Sequence, residues 1–521
     1  AGDGNCDGID DFIMGAPYYI AYASPSRFYC GMAVVIFGNK TIDREDIDLA
    51  TFTASGRKGF HVISRNDDDR LGTSVSSAGD VNGDGYSDVI IGAVEMDNGM
   101  CFVFFGHDNT TAFENIDLLS YSFATATGFQ IYGHSNTSRI GSVVTGGLDL
   151  NSDGYSDVAV GSSEGGEIFV IFGHNASIPF IDIYLLDLTN HSQSWGFRIS
   201  GAGTSTDIFS SLSLSPAGDV NSDGFDDLII GAATIKNAFV LFGKSTEHNF
   251  SNILLNEWVP ESQGFRITSF DSNDQLGYSV SGGVDVNDDG IDDLLIGAPF
   301  STPISGRDNA GTVFVLYGKN GIWEDFDTTN IPPHRGYKIL GANSSDNLGS
   351  YVTLLTGFSG VNSINIAVAS LNSAPFGRNG AGEVTVLYDQ VLVPTHVPTN
   401  APTMFPTCTP TMVPTCTPTV TSTALPTSTV RYIDLAEWQG SAALGFQISG
   451  GAADDLLGYK VSSAGDVNRD GYADLLIGAS GVDDSTGQAY LLFGKLGGVA
   501  DIDTASFGGT DGILIHGTTD S

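Results

Sequence analysis

"GDVNGDGYSDVIIGA", residues 79 to 93, places Asp80, Asn82, Asp84 and Asp88 within nine positions and runs directly into an apolar segment. Oxygen-bearing side chains so close together repel one another and hold water, so a fold that keeps them has to supply compensation. The pattern returns as "DGNCDGIDDFIMGA", "DLNSDGYSDVAVGS", "DVNSDGFDDLIIGA", "DVNDDGIDDLLIGA" and "DVNRDGYADLLIGA", beginning at Asp3, Asp149, Asp219, Asp285 and Asp466. Two other signatures keep step with it. One ends in Phe-Gly or Tyr-Gly ("VVIFG", "FVFFG", "FVIFG", "FVLFG", "FVLYG", "YLLFG"); the other reads Gly-aromatic-x-Ile ("GFHVIS", "GFQIYG", "GFRISG", "GFRITS", "GYKILG", "GFQISG"), with "GILIHG" as a looser last copy. The chain is built on a repeat of about seventy residues.

Each unit offers four short apolar runs rich in Val, Ile and Phe, punctuated by Gly, Asp, Asn and Ser, which read as antiparallel strands. Four strands per repeat at a constant period is the pattern of a propeller blade, where radial repetition leaves only short, protected edges. The expected fold class is all-β: a β-propeller of four-stranded antiparallel blades, seven-bladed when six units before a Thr/Pro spacer and one after it are counted together. The sixth unit, from about Leu348 to Tyr388, keeps the strands but has "GFSGVNSIN" in place of the acidic turn, and is expected to bind nothing.

In each complete copy the oxygen side chains occupy positions 1, 3, 5 and 9, Gly occupies position 6, and a large apolar residue position 7. Alternate side chains then converge on one point, glycine permits the sharp turn, and the position-7 carbonyl adds an oxygen. Three carboxylates and an amide make a hard, all-oxygen donor set that suits Ca²⁺ better than Zn²⁺. Asn-Gly and Asp-Gly are also good hairpin turns in their own right; six recurrences of the same four oxygens favour the cation. An EF-hand would need a helix after the loop, whereas "DVIIGA" and its relatives are strands.

Composition agrees. Asp plus Glu is 61 against 21 Lys plus Arg, a net charge of −40, which disfavours nucleic acid and anionic membrane surfaces and favours cations. With 41% hydrophobic residues and 31 Phe, a folded core is expected. No apolar stretch is long enough to span a membrane, no signal-peptide pattern opens the chain, and Ala1 suggests an internal piece of something longer. Cys6, Cys30, Cys101, Cys408 and Cys416 lack the CxxC spacing of a structural zinc site. Asn-x-Ser/Thr sequons begin at Asn39, Asn109, Asn136, Asn175, Asn190, Asn249 and Asn343, weak support for a secreted glycoprotein.

These residues resemble the FG-GAP repeats of integrin α-subunit propellers, named for segments such as "FIMGAP" at Phe12 to Pro17 and "LLIGAP" at Leu294 to Pro299. The resemblance covers nearly the whole chain outside 391 to 430. It implies that the acidic loop joins a blade's innermost and second strands and holds Ca²⁺ on one face of the disc, with protein or glycan partners approaching the other. Carried over position by position, the implied ligands are Asp80, Asn82, Asp84, the Tyr86 carbonyl and Asp88; Asp3, Asn5, Asp7, Ile9 and Asp11; Asp149, Asn151, Asp153, Tyr155 and Asp157. The remaining loops give Asp219, Asn221, Asp223, Phe225 and Asp227; Asp285, Asn287, Asp289, Ile291 and Asp293; and Asp466, Asn468, Asp470, Tyr472 and Asp474, for up to six Ca²⁺ sites. The sequence departs from integrins in carrying the loop in six of seven units, and in showing no inserted adhesion domain with a DxSxS motif and no GFFKR-like tail. FG-GAP propellers also stand behind the catalytic domain of a phospholipase D acting on GPI anchors, and no counterpart of that domain occurs here.

Residues 391 to 430 have Pro every few positions and almost no charge, reading as a mucin-type spacer or as a long loop within one ring. The favoured reading is a stalk, with one propeller over residues 1 to 390, its first blade lacking the innermost strand, and a second begun over 431 to 521; the alternative makes 431 to 521 the closing blade of the first. No HExxH or Gly-x-Ser-x-Gly appears, so no catalytic residue is assigned. Asp67, Asp68 and Asp69 are the best acids outside the repeat, weighed against a solvated loop. The insertion "PYYIAYASPSRFYC", with Tyr18, Tyr19, Tyr22, Phe28 and Tyr29, is weighed as a partner anchor against local packing. The leading expectation is an extracellular, non-catalytic adhesion propeller rigidified by Ca²⁺; the other is an accessory module of a secreted hydrolase.

Overall fold

Apolar runs of five or six β-branched and aromatic residues, bounded by Gly and Asp, are too short for helices and form strands buried on both faces. In the computed structural model this occurs in every unit. The structure describes residues 2–22, 25–40, 46–52, 58–108, 113–124, 126–134, 139–190, 194–201, 212–245, 250–258, 263–269, 273–360, 363–388, 432–437, 444–482 and 486–518.

Blade 2 shows the plan. Its innermost strand, Leu71–Gly79, pairs antiparallel with Asp88–Ala93, which pairs with Met100–Phe104, which pairs in turn with Gly128–Tyr132. The acidic turn joins the first two. Every residue of Asp88–Ala93 and of Met100–Phe104 is buried, because neighbouring blades cover both faces. Gly128 explains the Gly-aromatic-x-Ile signature: its φ is +141°, and a Cβ there would lie 2.0 Å from the Val103 carbonyl oxygen.

Seven such sheets form the ring. The sequence reading expected four strands per blade; a short fifth strand is added, because the chain runs along the outer edge of one blade before supplying the outer strand of the next. Ile183–Tyr184 thus lies parallel to Gly128–Tyr132. The same step closes the ring, with Ile47–Asp48 of blade 1 parallel to Gly512–His516 of blade 7. Blade 1 itself starts at Phe12–Ala16 and continues through Met32–Ile36 and Gly59–Ile63; inward of it Gly2 makes only an isolated bridge to Asp11.

The favoured division into two propellers is corrected. Tyr432–Asp434 lies parallel to Gly336–Leu340 in blade 5, and Gly445–Ser449 pairs antiparallel with Glu383–Tyr388 in blade 6. Segments that follow the Thr/Pro stretch therefore complete blades begun before it, since each blade's outer strand comes only after the excursion along its neighbour. The stretch 391 to 430, with Cys408 and Cys416, lies outside the described residues.

The core sits between blades. One cluster joins Ile90, Val103 and Phe129 of blade 2 to Val158, Val160 and Phe169 of blade 3, and another joins Phe12, Met32 and Val34 of blade 1 to Val467, Leu491 and Ile513 of blade 7. Full burial of each such side chain is worth about 1.5–3 kcal/mol, so the closing seam is packed like the others. Among the described residues no helix is long and apolar enough to cross a membrane. Cys6 is exposed, Cys30 and Cys101 are buried, and none of the three is bridged. Asn39, Asn175 and Asn343 are exposed; the side chains of Asn109, Asn136, Asn190 and Asn249 lie outside the described residues.

Candidate functional site

The turn from Asp80 to Asp88 is closed by its own side chains. Asp80 accepts hydrogen bonds from the N–H groups of Gly83, Asp84 and Gly85 at 2.7, 3.1 and 2.9 Å. Asn82 Oδ1 accepts from Asp84 N at 2.9 Å, and Asp84 Oδ1 from Tyr86 N at 3.0 Å. Such side-chain-to-backbone bonds are what Asp and Asn do best outside regular structure. The position-1 and position-5 bonds recur in the other turns, from Asp3 and Asp7, Asp149 and Asp153, Asp219 and Asp223, Asp285 and Asp289, and Asp466 and Asp470. Asn5, Asn151, Asn221 and Asn468 repeat the position-3 bond, and Asn287 stands half-buried at the same place. Gly85 has φ of +90° with nothing near its missing Cβ, so glycine is there for the backbone alone. Position 4 also has positive φ, at Gly83 but equally at Cys6, Ser152, Ser222, Asp288 and Arg469. Sequence reasoning missed this, since most of these residues are not glycine.

Position 9 is a buried brace. Both Asp88 oxygens accept amides, from Val81 N at 2.9 Å and Gly106 N at 2.9 Å, tying the start of the turn to the Phe-Gly corner after the third strand. Asp11, Asp157, Asp227, Asp293 and Asp474 join their own Phe-Gly or Tyr-Gly corners in the same way. Burial pushes the carboxyls of Asp88, Asp293 and Asp474 up to about 8 and that of Asp11 to about 7, against the pull of these amides, and raises Asp157 and Asp227 well above the ordinary range.

The turns are linked around the ring. Asp226 and Asp292, at position 8, accept from the backbone N–H of Asp149 and Asp219 in the preceding blades at 2.9 and 3.0 Å, and Asp10 accepts from Asp466 N at 2.9 Å across the closing seam. Residues following the Phe-Gly corners donate to position 2 of the preceding blade, as His174 N does to Val81 O at 3.0 Å and Lys495 N to Phe358 O of the sixth unit at 3.0 Å. These tethers carry no signal in a single repeat, because they join residues of different blades.

Among the described residues no three acidic, His or Cys side chains are drawn together as a finished cation cage. The donor chemistry nonetheless fits a hard cation. An ionised carboxylate has about four acceptor sites, and the amides occupy three on Asp80 and two on Asp88. Asp88, Asp157, Asp227, Asp293 and Asp474 are wholly buried, and no ion pair among the described residues reaches them. A buried carboxylate of this kind is costly unless a charge or proton compensates it. In the sixth unit Asn365 takes position 9, wholly buried and bonded to the Ser359 and Ser363 side chains of its own turn, so the buried group there is neutral.

The other candidates resolve differently. Asp69 is buried against Ser64 Oγ at 2.7 Å and Asn66 N at 2.8 Å and braces its own turn, while Asp67 accepts from Phe28 N at 2.8 Å and ties that turn to the insertion that follows Pro17. In that insertion Tyr18, Tyr22, Phe28 and Tyr29 are exposed, Tyr18 meets Tyr29 edge-on at 6.4 Å, and Arg27 is buried in a two-pronged pair with Asp117.

The FG-GAP repeat family model matches residues 71–94, 276–316 and 457–492, which fall in blades 2, 5 and 7. The chain is 32% identical to integrin alpha pat-2 of Caenorhabditis briggsae over 180 residues, covering 32% of this chain and 13% of that protein. It is 28% identical to integrin alpha-V of Gallus gallus over 247 residues, 46% of this chain and 20% of that one. It is 29% identical to phosphatidylinositol-glycan-specific phospholipase D of Mus musculus over 188 residues, 34% of this chain and 20% of that enzyme. The matched part is thus a fifth or less of each relative's own length.

Proposed function

We propose that this chain, an integrin-like FG-GAP β-propeller, is a non-catalytic recognition or adhesion module of the extracellular space. In this reading it binds Ca²⁺ in up to six blades and meets protein or glycan ligands on the face opposite the calcium turns. The observation that supports it most is one turn, recurring in six units, in which two carboxylates and an amide stand beside a buried position-9 acid and the position-1 and position-5 backbone bonds are the same throughout. In the second turn the ion would be held by Asp80, Asn82, Asp84, the Tyr86 carbonyl and Asp88, and by the matching residues elsewhere. Bound there, Ca²⁺ supplies the positive charge that the acids lack. The chain's own part is to hold the turn closed, to join it through position 9 to the Phe-Gly corner, and, where position 8 is Asp10, Asp226 or Asp292, to tie it to the turn of the preceding blade.

A second reading, an accessory propeller of a secreted hydrolase, is favoured by one observation: the phospholipase D of Mus musculus matches at an identity close to that of the integrins. A hydrolase domain encoded beside this propeller in the full-length gene would decide for it. The calcium reading is tested by thermal melting in excess EGTA and in millimolar Ca²⁺. A ligand bound only by the folded state adds about 2.7 kcal/mol per site at a hundredfold excess over Kd, so a rise of several degrees in Ca²⁺ is expected. Coincident curves would refute it.

A further inference from the structure

On the outer edge of blade 2 a groove of about 430 Å³ opens between the segment after Leu118, the outer strand Gly128–Tyr132 and the segment from Phe180 to Asp182. That is within the size range of small-molecule sites, roughly 300–1,000 Å³. Its aromatic walls are built. Phe123 lies nearly flat on the buried Phe102, with centroids 5.7 Å apart and planes at 20°, and Tyr121 stands at 89° to Phe123 at 5.1 Å. On the other side Tyr132 stacks on the exposed Tyr184 at 4.8 Å and 11°. Blade 4 sets Trp258 edge-on to Phe239 and blade 7 sets Phe507 edge-on to Tyr490; blade 2 departs from both in laying its ring flat and adding Tyr121.

The polar groups beside these rings are planar and mutually paired. Gln130 donates from its backbone N–H to Asp182 Oδ1 at 3.1 Å and from Nε2 to Asp182 Oδ2 at 3.3 Å, while Arg65 pairs with Asp97. The Arg65 charge is met by Asp97, whereas Asp182 is bonded only to a neutral amide and a backbone N–H, so the groove disfavours an anion. It offers aromatic faces flanked by a carboxylate that accepts, a guanidinium that donates and an amide that does both. A pyranose has that complementary shape, with a C–H face for an aromatic ring and an edge of hydroxyls that both donate and accept.

We propose that this groove binds a neutral carbohydrate of about disaccharide size. The site goes beyond the reading above and is independent of it, since it uses none of the acidic turns.

The test titrates the purified full chain with cellobiose, maltose, lactose and N,N′-diacetylchitobiose, read by calorimetry and by saturation-transfer NMR. At least one sugar is expected to bind at millimolar concentration, with saturation transfer from aromatic protons. Tyr121→Ser and Asp182→Asn should each weaken it about tenfold, while Tyr18→Ser, in the insertion of blade 1, should leave it unchanged. Melting curves confirm that the variants fold; should Tyr121→Ser not fold, the conservative Asp182→Asn decides. No binding by any of the four sugars, or binding indifferent to the groove variants, would overturn the proposal.

Discussion

Asp157 is wholly buried, and its two oxygens serve Leu150 N at 2.9 Å and Gly173 N at 3.0 Å. Asp157→Ala leaves two buried donors unmet and is expected to cost about 2–5 kcal/mol. Asp157→Asn keeps one acceptor and removes the charge, as Asn365 does in the sixth unit, and should cost less. Urea denaturation in EGTA separates them, and an Asn variant as damaged as the Ala variant would contradict a bracing role. At this scale the sequence was legible where a rule acts within nine residues: the oxygens at positions 1, 3, 5 and 9 and the glycine at 6 all follow from turn chemistry. Position 4 was not, because Ser152 and Arg469 take φ of +52° and +55° without being glycine. The position-8 acids were not either, since Asp226 finds its partner, Asp149, 77 residues away.

Short parallel strands at the blade edges are the elements that sequence patterns hid most thoroughly, two or three residues being too few to show any period. Those of blades 1, 5 and 6 are clamped by arginines from the turns between second and third strands, Arg27 holding Asp117 in the first. Arg307 makes two bonds to Asp434, at 2.6 and 3.0 Å, and Arg378 two to Asp503, at 2.6 and 2.8 Å. Hydrogen bonds from these guanidiniums hold the Asp434 and Asp503 carboxyls below the usual range. The folded values lie below the unfolded ones, so the stabilisation is fully present above the ordinary carboxylate pKa of about 3.9 and is lost as pH falls through the lower folded values. Arg307→Met should cost about 1 kcal/mol at pH 7, as expected of a part-exposed two-pronged pair. It should also flatten the acid limb of stability below about pH 4. An acid-unfolding profile parallel to that of the parent would contradict the clamp.

For the whole molecule, the seven-unit count was readable from repeated signatures, whereas the way the chain closes was not, because closure depends on which blade receives each outer strand. Tyr432–Asp434 and Gly445–Ser449 join blades 5 and 6, and Ile47–Asp48 joins blade 7, so the segments on either side of 391 to 430 are interlocked. A protease site placed within that stretch should therefore, on cleavage, leave two fragments that co-elute and melt in one transition; separation without denaturant would contradict a single ring. The central claim is that the acidic turns hold hard cations in every blade but the sixth. Calorimetric titration of EDTA-stripped protein with Ca²⁺ tests it most directly. The account predicts saturable binding of up to six ions per chain, one fewer after Asp84→Ala and no fewer after Ser359→Ala in the sixth unit. Absence of saturable binding, or a count unmoved by Asp84→Ala, would contradict it.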